Sequence, residues 1–211
     1  GLAKDIKYYA SHGVNGLMVQ CNYQGPRGEL AELRQYLCAQ LMWDPTQDPM
    51  RIREEFCQGY YGNACEEVLE FLRLMDNVAE APNMHAFGAW DPQNTVSIQF
   101  VNEALGILDR ARTNSGDSIV RNCIEKLMQP FWYMQLVYSG KYGLSDKDAP
   151  AVWKEAKRVI VSNKISFIRE GSAENVTEWV TQMDSRFTPM PKNMVFNLLR
   201  IDCAKDRKSV V

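Results

Sequence analysis

Residues 12–45 read HGVNGLMVQCNYQGPRGELAELRQYLCAQLMWDP, and this stretch decides the fold class. Gly13 follows a helical pattern and suits the end of a helix, because glycine adopts the left-handed backbone conformation cheaply. The next eight residues, VNGLMVQC, form an apolar run of strand length. A polar loop then leads into a predicted helix that ends before Pro45 and has leucines at spacings of three and four residues: Leu30, Leu33, Leu37 and Leu41. The stretch therefore predicts one α/β unit, and no second copy of it follows.

Every later pattern with a clear period is helical. Asp48 and Pro49 suit the start of a helix, which we expect to stop at Gly59. Apolar residues at spacings of three and four predict one long helix that Pro130 should kink, and they are Val120, Ile124, Leu127, Phe131, Met134 and Tyr138. We predict a mainly α chain, with a short α/β unit over residues 1–45 and a helical array or bundle over residues 46–211.

Composition excludes some classes of partner. The 24 lysines and arginines nearly balance 26 acidic residues, so the net charge of −2 provides no field to gather phosphates, which argues against a nucleic-acid partner. The apolar runs are shorter than the roughly 20 residues that a membrane-spanning helix needs. No membrane span is predicted, and the sequence assigns no compartment.

The cysteines and histidines show no metal-binding spacing. The six cysteines include no CxxC pair, and the two histidines are His12 and His85, so no metal and no cofactor are predicted. We expect all six cysteines to be free thiols, which behave as small apolar side chains when buried. The alternative is a disulfide between Cys57 and Cys65, which lie on either side of a GYYGN turn.

A single strand raises the question of what pairs with it. An eight-stranded barrel with its helices needs about 250 residues, so this chain with one predicted strand cannot form one. A strand with unpaired edges is not stable alone. We therefore expect the opening residues to belong to a sheet that is completed elsewhere. The alternative is that they pack on the helices.

Three segments carry a resemblance to a known family: DIKYYASHGVNGLMVQCNY, ELAELRQYLCAQLMWDPTQDP and FCQGYYGNACEEVLEFLRLMD. In their order and spacing they resemble the C-terminal part of the domain of unknown function family 4838 of carbohydrate-active bacterial proteins. The likeness covers about residues 1–80, and the remainder follows the family's helix pattern more loosely. It implies a barrel like those of hexosaminidases and α-glucuronidases, followed by a helical region. GVNGLMVQCNY would then be a late barrel strand, and most of the barrel would lie upstream.

The end of the predicted strand is the first candidate sugar-binding surface. Catalytic and binding residues of such barrels gather where the strands end, which here means Gln20, Asn22, Tyr23 and Gln24. Amides and a phenol can hydrogen-bond sugar hydroxyls, and the ring offers an apolar face. Alternatively, Gln20 and Asn22 only cap the strand and form a turn. Where related barrels can use an acid, this sequence has amides, which argues against a catalytic role for these residues.

Two further groups mix aromatic and polar residues. Trp43 and Asp44 suit a sugar platform beside a hydrogen-bonding acid, but they equally suit a packing anchor followed by an acceptor for turn amides. Tyr60 and Tyr61 suit packing at a helix junction better than ligand contacts.

The loop around MHAFGAWDP contributes His85 and Trp90 as candidates that could lie over a barrel mouth. The alternative is that its aromatic residues pack on the helices. One histidine with no placed partner makes no catalytic argument.

These observations leave three functional hypotheses. The first is that the chain is the C-terminal segment of a glycoside-hydrolase-like protein, where it supports a barrel and lines its sugar site without being catalytic alone. The second is a non-catalytic carbohydrate-binding protein on a decayed barrel. The third is a helical protein-interaction module with an apolar stripe over residues 120–138 open to a partner.

Overall fold

The regular structure is helical throughout the residues that the computed structural model describes, which are 2–19, 30–79, 96–166 and 176–188. The helices are α1 (Leu2–Ser11), α2 (Ala31–Trp43), α3 (Pro49–Tyr61), α4 (Cys65–Ala79), α5 (Ile98–Asn114), α6 (Ser118–Val137), α7 (Ser139–Tyr142), α8 (Ala149–Ser162) and α9 (Val176–Phe187), with a 3₁₀ turn over Gly62–Ala64 between α3 and α4. The prediction of a mainly α chain is confirmed.

Short polar side chains begin three of these helices. Asp48 Oδ1 accepts a hydrogen bond from the backbone N–H of Met50 at 3.0 Å, and Pro49 occupies the first turn, as the sequence predicted. Ser97 and Asp117 accept equivalent bonds at the starts of α5 and α6. These caps satisfy N–H groups that have no partner inside the helix.

The end of α3 differs from the prediction. The helix continues through Gly59 and ends at Tyr61, and the next residue, Gly62, has a φ of +51° that suits glycine. A glycine inside a helix costs only about 1 kcal/mol relative to alanine. Gly59 is therefore tolerated, and the helix stops where the backbone adopts a positive φ.

Helix α6 lies at the centre of the main core. Ile124, Leu127 and Phe131 of this helix are buried in the main core, which also contains side chains of α4, α5, α8 and α9. The Phe131 ring packs on Phe71 of α4 at 5.8 Å and on Phe100 of α5 at 5.9 Å between ring centroids. The predicted apolar stripe is confirmed. The helix is continuous through Pro130, and the kink stays a prediction.

Polar contacts join α6 to α8. Asn122 and Asn163 exchange two amide hydrogen bonds, at 2.9 Å and 2.8 Å, and Asn163 is fully buried. The buried Glu125 carboxylate accepts from the Arg158 guanidinium at 2.6 Å. Buried polar groups are costly when unpaired, so these contacts allow polar side chains within the α6–α8 interface.

A second, smaller core joins α1, α2 and α3. It has three buried side chains, one from each helix, Ile6, Leu41 and Ile52, and the partly buried Leu17 packs against them. Three buried residues form a small core, so α1 depends on few apolar contacts.

The predicted strand is wrong for residues 14–19 as they stand in this chain. These residues have no regular secondary structure, and residues 20 and 21 lie outside the described part. A strand requires a hydrogen-bonded neighbour, and none of the described residues provides one.

Burial nevertheless differs between neighbouring residues of this segment. Leu17 packs on the small core, whereas Met18 is 90% exposed and Val14 is also exposed.

Exposed apolar residues are concentrated around the small core. Among the described residues nine large hydrophobic side chains are exposed, and seven of them lie between residues 8 and 50: Tyr8, Tyr9, Val14, Met18, Met42, Trp43 and Met50. Single exposed apolar side chains are normal, but a concentration of them marks an interaction surface. The N-terminal quarter of the chain therefore differs from the rest in how much apolar surface it leaves uncovered.

The C-terminus of α8 generates a stability prediction. Lys164 has a φ of +51° and is exposed, its N–H donates to Val161 O, and the N–H of Ile165 donates to Ile160 O. This is the Schellman arrangement, in which glycine is the favoured residue at the left-handed position. We expect Lys164→Gly to raise the free energy of unfolding by about 1 kcal/mol, because the left-handed conformation costs a residue with a Cβ roughly that much. Urea denaturation measures the change.

Lys154→Gly serves as the control. Lys154 is exposed inside α8, where glycine should lower stability by about 1 kcal/mol. Equal destabilisation by both substitutions would contradict the assignment of the left-handed position.

Candidate functional site

Two of the predicted site residues, Trp43 and Asp44, lie within the described part of the chain. Gln20, Asn22, Tyr23, Gln24, His85 and Trp90 lie outside the described residues. Their roles therefore stay predictions, and the structure locates the pair at the end of α2.

Trp43 is the last residue of α2, and its side chain is 90% exposed. The interpretation of Trp43 as a packing anchor is therefore wrong. Burying an indole requires a surface that covers it, and the described helices do not provide one. An exposed indole offers an apolar face to any ligand or partner that reaches this end of α2.

Asp44 is held in a turn by the residue two positions later. Its Oδ1 accepts from the backbone N–H of Thr46 at 2.9 Å and from the Thr46 hydroxyl at 2.6 Å. These two bonds lower the pKa of the Asp44 carboxyl below its usual value, and the bond from the hydroxyl has the larger effect. The carboxyl is therefore ionised at neutral pH. The prediction that Asp44 accepts from turn amides is confirmed.

The length of α2 separates the two ends of the candidate surface. A helix of 13 residues is about 20 Å long, at about 1.5 Å per residue. Trp43 and Asp44 lie at one end, and residues 20–29 join α2 at the other. The exposed tryptophan and the start of α2 therefore belong to different parts of the surface.

Tyr60 and Tyr61 pack at a helix junction, as predicted. Tyr61 is buried, and Tyr60 stacks on Phe56 with 4.9 Å between ring centroids. The contacts of the Tyr60 hydroxyl were not predicted, because they join helices that are distant in sequence.

A polar cluster joins the start of α2 to α3 and α6, and we call it the α2 junction: Glu32, Tyr60, Cys123 and Lys126. The Tyr60 hydroxyl and the Lys126 ammonium both donate to Glu32 Oε1, each at 3.3 Å. The Cys123 thiol donates to the Tyr60 oxygen at 3.5 Å. The α2 junction therefore links an acid in the first turn of α2 to a cation on the central helix.

Burial controls the protonation of two groups near the α2 junction. Burial raises the pKa of Tyr60, and the neighbouring Cys123 thiol and Glu32 carboxylate raise it further, so the phenol keeps its proton and donates. Burial also raises the pKa of the Cys57 thiol to about 12, with a smaller contribution from Cys65. Neither group is prepared to act as an anionic nucleophile at neutral pH.

Cys57, Cys65 and Cys123 are free thiols, so Cys57 and Cys65 form no disulfide with each other, and Cys38 is buried. Cys21 and Cys203 lie outside the described residues. Within the described ranges, no group of three or more His, Cys, Asp or Glu side chains could hold a metal ion. In the same ranges, no helix has the length and apolar character needed to cross a membrane.

A groove of about 670 Å³ lies between α8 and α9. Its floor includes Trp153 and Phe187, which are almost fully buried. Lys157 on its wall is paired with Asp184 at 2.6 Å, and Asp184 also accepts from the Trp153 indole at 2.9 Å. The groove includes none of the predicted sugar-site residues.

The Asp44 turn generates a prediction about its pKa. In Thr46→Val the carboxylate loses its shortest hydrogen bond, so we expect the pKa of Asp44 to rise toward its ordinary value. Since the folded-state pKa is lowered, the stability that this turn contributes is present at neutral pH and is lost as the pH falls through that pKa. An NMR titration of the Asp44 carboxyl carbon measures the shift.

Thr113→Val is the matched control, because the Thr113 hydroxyl donates to the carbonyl of Asp109 and has no contact with Asp44. An Asp44 pKa that is unchanged in Thr46→Val would contradict the proposed cause.

Comparison with known proteins gives one match. No curated protein and no solved structure was found to match the chain. Residues 1–73, which cover α1 to α3 and the first part of α4, match the family described as Domain of unknown function (DUF4838). The resemblance to this family that was read from the sequence is confirmed over residues 1–73.

Proposed function

We propose that this chain is the C-terminal segment of a carbohydrate-active, glycoside-hydrolase-like protein, in which it supports a barrel and lines the sugar site. Residues 1–45 form the last α/β unit of that barrel, and residues 46–211 form the helical domain that holds it. The family match over residues 1–73 supports the proposal, because it covers the predicted unit and the helices next to it.

The observation that carries the proposal is the burial pattern of residues 17–19. A barrel strand has one face against its outer helix and the other toward the barrel interior, with successive side chains on opposite faces. Leu17 packs on the small core of α1, α2 and α3 and Val19 is half-buried, while Met18 between them is exposed. Residues 14–16 are all exposed, so the alternation that supports a strand with one face on its helices is confined to residues 17–19.

The same alternation assigns roles to the predicted strand end. Gln20 and Asn22 share the parity of Met18, so in a continued strand they face the barrel interior at the end where such sites form. Their amides, with that of Gln24 at the same parity, are proposed to contact sugar hydroxyls, and the Tyr23 ring is proposed to offer an apolar face where the strand ends. Hydrolysis of a glycoside ordinarily needs two carboxyl groups, which these residues lack, so the segment lines the site and other parts of the protein supply the acids.

The remaining candidates take separate places in this proposal. His85 and Trp90 are proposed to contribute a titratable ring and an apolar face to the sugar site. Trp43 and Asp44 lie about 20 Å from the start of α2, and the helix that follows a barrel strand runs back toward the opposite face. They therefore belong to a different surface from the strand end.

One observation favours the non-catalytic alternative. The Trp43 indole is exposed beside an ionised carboxylate, which is the composition of a sugar platform without turnover. The interaction-module alternative loses its motivation, because Ile124, Leu127 and Phe131 of the 120–138 stripe are buried in the chain's own core.

Two variants of the protein made from its native gene separate the sugar hypotheses. We expect Asn22→Ala to weaken binding of N-acetylhexosamine or hexuronic acid oligosaccharides about tenfold, since one lost hydrogen bond is worth about 1 kcal/mol and its unpaired partner adds to that. Trp43→Ala should leave the affinity unchanged. Isothermal titration calorimetry measures both.

Loss of binding in Trp43→Ala alone would favour the platform alternative. No binding of any of these oligosaccharides by the unaltered protein would overturn the proposed function.

A charge at Met18 tests the barrel part of the proposal. In the 211-residue chain Met18 is 90% exposed, so Met18→Asp should leave the melting temperature unchanged. In the protein from the native gene the same substitution should lower it by several degrees, because the charge would lie inside a barrel. Ile119→Asp, at an exposed position on the first turn of α6, is the control that should be neutral in both. Equal effects of Met18→Asp in the two proteins would contradict the barrel.

A further inference from the structure

We propose that Lys126 is a positioning residue for the sugar-facing surface, because it fixes the start of α2 through Glu32. The inference rests on the proposed function for its consequence on sugar binding. It concerns a contact between the central helix and the family-matched part of the chain.

The α2 junction lies at the start of α2. In a β/α unit, the end of the strand and the start of the following helix lie on the same face, where the site forms. Glu32 is in the first turn of α2, on the side where residues 20–29 join the helix. The α2 junction therefore lies at the end of α2 that follows Gln20 and Asn22 along the chain, and Trp43 lies at the other end.

The ion pair of Lys126 and Glu32 is partly withdrawn from water. The Lys126 side chain is only 14% exposed, while that of Glu32 is 40% exposed, and their 3.3 Å contact joins residues that are 94 positions apart. An exposed ion pair is worth little, but a cation that is mostly withdrawn from water depends more on its partner. Tyr60 donates to the same carboxylate oxygen, so α3 and α6 hold Glu32 together.

The backbone immediately before α2 has a left-handed conformation. Leu30 has a φ of +52°, and no side chain caps the helix at this position. The left-handed conformation costs a residue other than glycine about 1–2 kcal/mol, so it persists only where surrounding contacts impose it. Leu30 packs against the main core, and its carbonyl accepts from the N–H of Arg34 at 2.9 Å. The contacts of Leu30 and Glu32 together fix the direction in which the chain enters α2.

Lys126→Met removes the charge and keeps the apolar stem. We expect hydrogen exchange of the Arg34 amide, which closes the first turn of α2, to become at least about fivefold faster, the factor for 1 kcal/mol. In the protein from the native gene, we expect the affinity for the oligosaccharides named above to fall by a similar factor. Lys126→Arg keeps the positive charge, so we expect it to leave the exchange rate of the Arg34 amide and the oligosaccharide affinity as they are in the unaltered protein.

Lys154→Met is the matched control, because this lysine lies on the exposed face of α8, on a different helix from every member of the α2 junction. It should change neither the exchange of the Arg34 amide nor the affinity.

Two outcomes overturn the inference. The first is an Arg34 amide that exchanges at the same rate in Lys126→Met, and the second is exchange that rises equally in α5, which would mean a general loss of stability. Unchanged affinity together with faster exchange at Arg34 would overturn the consequence for sugar binding. If the unaltered protein binds no oligosaccharide, the proposed function fails, and the exchange data alone decide whether Lys126 positions α2.

Discussion

The packing of α6 against its neighbours is the constraint on which the rest of the structure depends. Phe131 contacts rings from α4 and α5, and α8 covers another face of the same helix. Burial of each large apolar side chain contributes about 1.5–3 kcal/mol, and most of the buried residues belong to this one cluster. The small core of α1 to α3 has three buried residues, so its stability depends on its connection to the main core and on whatever covers its exposed side.

The family-matched part of the chain thus has two surfaces with different chemistry. At the start of α2, polar groups from α3 and α6 converge on Glu32. At its end, Trp43 and Met42 are exposed and Asp44 is bound in its own turn. A helix that is fixed by hydrogen bonds at one end and offers apolar area at the other suits an element lying between a rigid support and a larger partner. This arrangement is consistent with the supporting role proposed for the segment.

Sequence reasoning succeeded where the decisive physics is local. The apolar period of α6 and the Asp48 cap depend on neighbours within one or two helical turns, and both were predicted correctly. The strand and the packing of Trp43 depend on what lies opposite them, which no local pattern contains. Gly59 was misread because glycine is a weak helix breaker, and a better stop followed at Gly62. The α2 junction could not be predicted, since it joins residues 28 and 94 positions apart.

The amide pair of Asn122 and Asn163 has a consequence for folding as well as for stability. Leucine and valine faces can slide along each other by one helical turn, about 5.4 Å, and still bury similar areas. The two asparagines satisfy each other in a single alignment, because each donates to the other's oxygen. A slipped alignment would break both of these bonds, while Asn163 keeps its bond to Val159 O at 3.0 Å, and each lost hydrogen bond is worth about 0.5–1.5 kcal/mol. The pair therefore discriminates against misregistered forms of the α6–α8 interface.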